Sequence, residues 1–273
     1  MLKNMKHLKH LAAALVMTGA LCQIAPAQTA APAKPAAAPA KPTDAPKPAA
    51  PKPAPAPKPP RTAADAVTPT DMTNNGRQKG FLKRAEDKKI QLVFLGDSIT
   101  DGWQGKGKAV WEKYYAKYDA ADFGVSGEHT EHQLGHIAGG ILDGLHPKAV
   151  VIMIGTNNIG HNPADTPEFA AAGVKKIVET VHAKLPETKV LLLGVFPRAT
   201  KDHPQRKAVE GINAIISKLD DGKKTRYLDI GPKFLDDKGE LPADIMPDKL
   251  HPNEKGYQIW AEAMQPLLEE LMK

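Results

Sequence analysis

The chain has 273 residues and a formal net charge of +6, unevenly spread: residues 1–64 hold nine Lys or Arg and one acid, Asp44, leaving 28 basic and 30 acidic residues in Asp65–Lys273. A nucleic-acid-binding domain would carry its basic footprint on the folded surface, and here the stretch long enough to fold is close to neutral, so that class is excluded. The single cysteine, Cys22, lies in an N-terminal apolar stretch, which leaves the rest of the chain without disulfides, thiolate metal ligands or a cysteine nucleophile.

Lys3, Lys6 and Lys9 precede the apolar run Leu11–Leu21, and Ala25-Pro26-Ala27 places small residues before a cut at Gln28. This is the layout of a secretory signal peptide over residues 1–27, so the expected location is exported, periplasmic or secreted. Leu21 stands before Cys22 where a lipid-anchored precursor has a small residue, and the apolar run is well short of the ~20 residues of a membrane span. Residues 28–64 are rich in Ala, Pro and Lys with no hydrophobic period. Such a composition buries no core and favours an extended spacer of roughly 100 Å. Its five lysines would give at most a weak, salt-screened attraction to an anionic cell envelope.

One domain is expected over 65–273, long enough to bury ~70% of its unfolded surface. Ile90–Leu95 (IQLVFL), Ala149–Ile154 (AVVIMI) and Val190–Phe196 (VLLLGVF) are short continuous apolar runs, the pattern of parallel strands buried on both faces. Ala120–Phe123 and Arg226–Ile230 are weaker versions. Helical stretches are predicted between and around them, at Gly76–Asp87, Val110–Tyr118, Glu131–Leu142, Pro167–Lys184, Gln205–Leu219 and Asn253–Met272. Thr166-Pro167-Glu168 supplies an N-cap, a first-turn proline and an acid for one of these. Strands alternating with helices give an α/β fold around a five-stranded parallel sheet, with ligands expected beyond the carboxyl ends of the strands.

The strand ends carry the chemistry. Gly96-Asp97-Ser98-Ile99-Thr100 follows the first strand, Gly124-Val125-Ser126-Gly127 the second and Gly155-Thr156-Asn157-Asn158 the third, while Asp248-Lys249-Leu250-His251 precedes the last helix. A serine hydroxyl becomes a useful nucleophile only with a base in reach, a group that orients the base, and donors aimed at the oxyanion. Ser98 suits the nucleophile, His251 the base and Asp248 its partner. The Ser98 and Gly127 backbone N–H groups and the Asn157 amide suit the oxyanion hole. Asp97 is a rival for the aspartate role, but adjacent side chains diverge, which favours a structural part for it.

These four blocks resemble those of the SGNH/GDSL hydrolases, and the longer stretches VFLGDS, FGVSG, HPKAVVIMIGTNN and LLLGVFPR look most like the branch containing the platelet-activating-factor acetylhydrolase catalytic subunits. The resemblance covers nearly all of residues 90–273. It implies a three-layer α/β/α sandwich of flavodoxin-like topology, ester hydrolysis without a cofactor or metal, and catalytic roles on Ser98, Gly127, Asn157, Asp248 and His251. Two positions depart from the family pattern: Ile99 follows the serine in place of Leu, and Asp122 replaces an Asn before Phe123-Gly124.

Competing motifs fail on particular residues. Gly102 to Lys108 has the outline of a phosphate-binding loop, yet Ala109 stands where a Ser or Thr would hold Mg²⁺. His129, His132 and His136 have helical spacing suited to zinc, but no acid completes a known site. The expectation is therefore a carboxylic ester hydrolase that removes small acyl groups, acetyl first, through an acyl-enzyme. Its partner would be a small ester or an acetylated carbohydrate, an expectation that rests on compartment. A lysophospholipase or lipase activity is the alternative among enzymes, and a non-catalytic envelope-binding module the alternative from another class. The loops Gly102–Lys108 and Arg198–Pro204 are expected to line the pocket, with Trp103 either facing a sugar or packing inside.

Overall fold

The computed structural model describes residues 61–161 and 165–273. The proposed signal peptide and the linker up to Pro60 lie outside the described residues.

Five strands, β1 (Leu92–Gly96), β2 (Ala121–Gly124), β3 (Ala149–Met153), β4 (Lys189–Leu193) and β5 (Thr225–Leu228), form one sheet in the order β2-β1-β3-β4-β5, every neighbouring pair parallel. That order is the flavodoxin-like one, with its switch between β1 and β3. β1 shows why the strands read as unbroken apolar runs: Val93 and Leu95 enter one core cluster, Leu92 and Phe94 the other, and all four are buried. Alternation along the strand feeds two cores, so both faces must be apolar.

The long helices close the layers. α2 (Gly76–Ala85), α5 (Thr130–Ala138), α7 (Pro167–Lys184) and α8 (Pro204–Ile216) cover one face through Phe81, Leu134, Ile177 and Ile212. α4 (Lys108–Tyr114) and α9 (Glu254–Leu271) cover the other through Trp111, Tyr257, Trp260 and Met264. α7 starts where its cap signals place it, Thr166 Oγ1 accepting from the Phe169 N–H, and α9 starts on Asn253, whose side chain accepts from the Gly256 N–H. No helix among the described residues is long and apolar enough to cross a membrane.

Three short helices escape the hydrophobic period: α1 (Ala63–Val67), α3 (Ser98–Asp101) and α6 (Thr156–His161). Ala63 and Ala64, which composition leaves in the linker, are the first residues of α1. Ala66 is fully buried, its carbonyl accepts from Thr130 Oγ1 at 3.0 Å, and Arg61 pairs with Glu131 at 2.7 Å and Asp165 at 3.0 Å. Among the described residues, these contacts start at Arg61, a few residues before the composition changes. A Cβ on Gly173 of α7 would meet Thr130 and the Ala66 carbonyl, so that glycine makes room for α1.

Candidate active site

The segments that follow β1 and β2 and the one before α9 meet at one cleft. β1 ends at Gly96, where a Cβ would collide with the Thr100 hydroxyl and the Met153 carbonyl, so only glycine lets the chain turn here into α3. Asp97 caps that helix: its Oδ1 accepts from the Ile99 N–H at 3.0 Å. Ser98 is the first residue of α3 and its side chain reaches the cleft, Oγ lying 2.8 Å from His251 Nε2.

His251 Nδ1 lies 2.7 Å from Asp248 Oδ2, and Asp248 Oδ1 accepts from the backbone N–H of His251 at 2.7 Å and of Leu250 at 3.1 Å. The side chains meet across three residues because Lys249 takes a left-handed conformation, φ 57°, held by a 2.9 Å hydrogen bond from the Ala199 N–H to its carbonyl. Partial burial raises the Asp248 pKa, but the N–H groups and the imidazole of His251 outweigh it and hold the carboxyl below its usual range. An ionised Asp248 on Nδ1 selects the tautomer whose Nε2 lone pair faces Ser98.

Gly127, next to the cleft-lining Ser126, sits in an exposed turn at φ 81°, a conformation that favours glycine. Asn157 of α6 is buried, and its Nδ2 donates to the Glu128 carbonyl at 2.9 Å, which fixes the amide and leaves its second N–H free of that bond. Asn158 has different work: its amide is locked onto Thr130 and Glu131. The two amides thus have different partners, Asn157 the Glu128 carbonyl and Asn158 the frame around Thr130.

Asp97 points away from this apparatus. It is fully buried, and burial pushes its pKa up to about 7, against the lowering influence of the Ile99 N–H and the charge of Arg198. Asp122, where the family pattern has Asn, accepts from the Gly124 N–H at 2.8 Å and from Gln104 at 3.2 Å. Burial raises it to about 7 as well.

Ser98, Asp101, Gly102, Gly105, Lys106, Ser126, His251, Pro252 and Tyr257 line an open cleft of about 330 Å³. The Gly102–Lys108 loop is therefore at the pocket as expected. Arg198, by contrast, turns to the backbone of α6 and donates to the Thr156 carbonyl at 2.7 Å. Trp103 is a correction of the sugar-facing option: it is completely buried among Phe94, Trp111, Tyr115, Tyr257 and Trp260 and offers no face to a ligand.

The three histidines with helical spacing do not share one place. His136 is buried between Gln78 and Glu128, with Nε2 2.8 Å from Glu128 Oε1, and Gln133 donates to the other Glu128 oxygen and to the carbonyls of Gly96 and Phe123. This buried network supports the turn that carries Gly127. Its only sequence signal is the polar residues Gln133 and His136 on the apolar face of α5.

A serine, an imidazole and a carboxylate in one hydrogen-bonded line, beside a glycine turn and a fixed amide, are the parts that acyl transfer needs. The family model of the GDSL-like lipase/acylhydrolase family matches residues 94–259. The chain belongs to that family. Among its members the chain is 31% identical over 215 residues to platelet-activating factor acetylhydrolase IB subunit alpha1 of Bos taurus, covering 77% of this chain and 90% of the relative. It is 30% identical over 194 residues to the alpha2 subunit of Rattus norvegicus, covering 71% and 81%. The fold matches a GDSL-like lipase of Bacteroides thetaiotaomicron at TM-score 0.58 and 20% identity, over 71% of this chain and 98% of that one. It also matches the acetylxylan esterase Axe2 of Geobacillus stearothermophilus at TM-score 0.52 and 19% identity, over 67% and 96%. This GDSL acylhydrolase is an esterase, and its fold is the α/β sandwich of those neighbours.

Proposed function

We propose that this esterase is exported and removes small acyl groups, acetyl first, from polar alcohols such as carbohydrate hydroxyls. The hydrogen-bonded line from Ser98 through His251 to Asp248, at 2.8 and 2.7 Å, carries the mechanism. Ser98 Oγ attacks the ester carbonyl carbon as its proton passes to His251 Nε2, and the C=O electron pair moves onto oxygen. The oxyanion takes hydrogen bonds from the backbone N–H groups of Ser98 and Gly127 and the free Asn157 N–H. The tetrahedral adduct collapses, the C–O bond to the alcohol breaks, and His251 returns the proton to the leaving oxygen. Water then gives a proton to the same nitrogen, attacks the acyl-serine and releases the acid, restoring Ser98. Asp248 keeps Nδ1 protonated and stabilises the imidazolium.

The choice of a short acyl group and a polar alcohol is supported by the cleft. Its walls are Gly102, Gly105, Asp101, Lys106, Ser126, Pro252 and Tyr257, an open cleft with no run of aliphatic side chains among the lining residues. The relatives named as acetylhydrolases point the same way, as does a fold neighbour named as an acetylxylan esterase. Export is supported by the charged, apolar and small-residue order of residues 1–27.

The test is a series of p-nitrophenyl esters from acetate to decanoate beside acetylated xylo-oligosaccharides and a 2-acetyl ether phospholipid. The reading expects kcat/KM to fall at least tenfold between acetate and octanoate, and acetate release from the glycan. A rate that rises with chain length would replace it with the lipase alternative.

A further inference from the structure

The glycine turn beside the cleft is anchored from two sides, and the anchor on its exposed side has no part in the chemistry above. The Val125 carbonyl accepts from the Glu128 N–H at 3.3 Å, and Gly127 holds the third place of that turn at φ 81°. A positive φ at that place, with none at Ser126, is the pattern of a type II turn. Type I and type II turns share the closing hydrogen bond and differ in the rotation of their central peptide. Here that peptide carries the Gly127 N–H, so its direction depends on what holds the residues on either side.

On the buried side, Gln133 and His136 hold the Glu128 side chain, and the Glu128 carbonyl accepts from Asn157. Ser126 and Gly127 themselves are exposed. There the holder is Asp101, the last residue of α3 and three residues after Ser98. Ser126 Oγ donates to Asp101 Oδ2 at 2.8 Å, while Asp101 Oδ1 accepts from Arg77 Nη2 at 2.6 Å. The same Nη2 donates to the Gly124 carbonyl at 2.8 Å, so one guanidinium orients the carboxylate and steadies the end of β2. α3 lies directly against that strand end: a Cβ on Gly124 would meet the Asp101 N–H and the Thr100 backbone. Asp101 thus joins the helix of the nucleophile to the residue that precedes Gly127.

We propose that Asp101 is a positioning residue for ester hydrolysis, which through Ser126 sets the direction of the Gly127 N–H relative to Ser98. This role rests on the reading of Gly127 as an oxyanion donor. Such a donor works only when aimed at the place where charge develops, and a misplacement of about 1 Å can cost ~10²-fold in rate. The Arg77–Asp101 and Ser126–Asp101 contacts are exposed, and exposed contacts of this kind add little to global stability. Asp101 therefore contributes aim rather than cohesion. It also lines the cleft, so a contact with bound substrate is the competing role that the test has to separate.

The experiment follows p-nitrophenyl acetate hydrolysis, the affinity for phenylboronic acid as a tetrahedral oxyanion mimic, and the melting temperature. The variants are Asp101→Ala, Asp101→Asn, Ser126→Ala and the double variant Asp101→Ala/Ser126→Ala. Both single alanine variants should lose about tenfold or more in kcat, with KM within about twofold of wild type and boronate affinity falling in step with kcat. Asp101→Asn, which keeps an oxygen for the Ser126 hydroxyl, should retain more of the rate than Asp101→Ala. The double variant should be no worse than Asp101→Ala within about twofold, because both changes remove one link. Melting temperatures should stay near wild type. A wild-type kcat in Ser126→Ala, losses that multiply in the double variant, or an effect of Asp101→Ala confined to KM would each overturn the positioning role. Ser98→Ala in the same series separates the two readings. If it stays active, the serine mechanism itself fails; if it is inactive while the Asp101 and Ser126 variants turn over like wild type, only the role of Asp101 fails.

Discussion

At the scale of single residues, the two aspartates beside the nucleophile have opposite environments and should fail in opposite ways. Asp248 faces the imidazole, so Asp248→Asn removes the partner that selects the tautomer and balances the imidazolium. Turnover should fall roughly 10²–10⁴-fold with little change in KM. Asp97 is folded into the interior, with a pKa pushed up to about 7. Its folded state holds a proton more tightly than the unfolded chain, where an aspartate titrates near ~4. Its ionisation therefore costs stability increasingly between those two values and most above pH 7. Asp97→Asn keeps the oxygen that accepts from Ile99 and loses the charge. The melting temperature of the variant, minus that of wild type, should thus become more positive from pH 5 to pH 8, while turnover stays within a few fold. A difference flat with pH would show that Asp97 is not buried as a titrating acid. Ser98, Asp248 and His251 were legible in the sequence because each sits in a block with its own spacing. Trp103 was ambiguous because an aromatic beside a pocket loop reads the same whether it faces in or out.

Secondary-structure elements were legible to the extent that they repeat a period. The three central strands appear where unbroken apolar runs predict them and the two edge strands where the weaker versions do, no end shifted by more than three residues, and α7 matches its predicted span from Pro167 to Lys184. α1, α3 and α6 have four to six residues each, too few to show a helical stripe, and two of them hold the Ser98 and Asn157 blocks. Their positions come from caps and tertiary contacts. For α1 the contact is the Arg61 clasp, in which the Asp165 and Glu131 side chains are almost wholly buried. Removing the cation strands two buried carboxylates, so Arg61→Ala should destabilise the fold by about 2–4 kcal/mol, read by urea denaturation. The Glu131 side also predicts a direction with pH. Burial works against ionisation there, but hydrogen bonds from His129 and Arg61 prevail and lower its pKa to about 2. The stability it contributes is present above ~4.5 and is lost as pH falls toward 2. The cost of Arg61→Ala should therefore shrink in acid; a cost independent of pH would mean that the ion pair carries none of it.

For the whole molecule, the sequence separates a tail whose composition buries no core from a body with two cores, one on each face of the sheet. The separation predicts that a chain beginning at Arg61 keeps both the melting temperature and the rate on p-nitrophenyl acetate of one beginning at Gln28. A chain beginning at Thr68 lacks α1 and Arg61 and should melt several degrees lower. Equal loss in both truncations would place structural work in the Ala/Pro/Lys segment. The central claim is that a single serine hydroxyl, activated by His251 and Asp248, performs the acyl transfer. Its most direct test is the rate of p-nitrophenyl acetate hydrolysis by Ser98→Ala, measured on protein whose melting temperature matches wild type. The account predicts a loss on the order of 10⁴-fold or more; a normally folded variant that keeps more than about a tenth of the wild-type rate would contradict it.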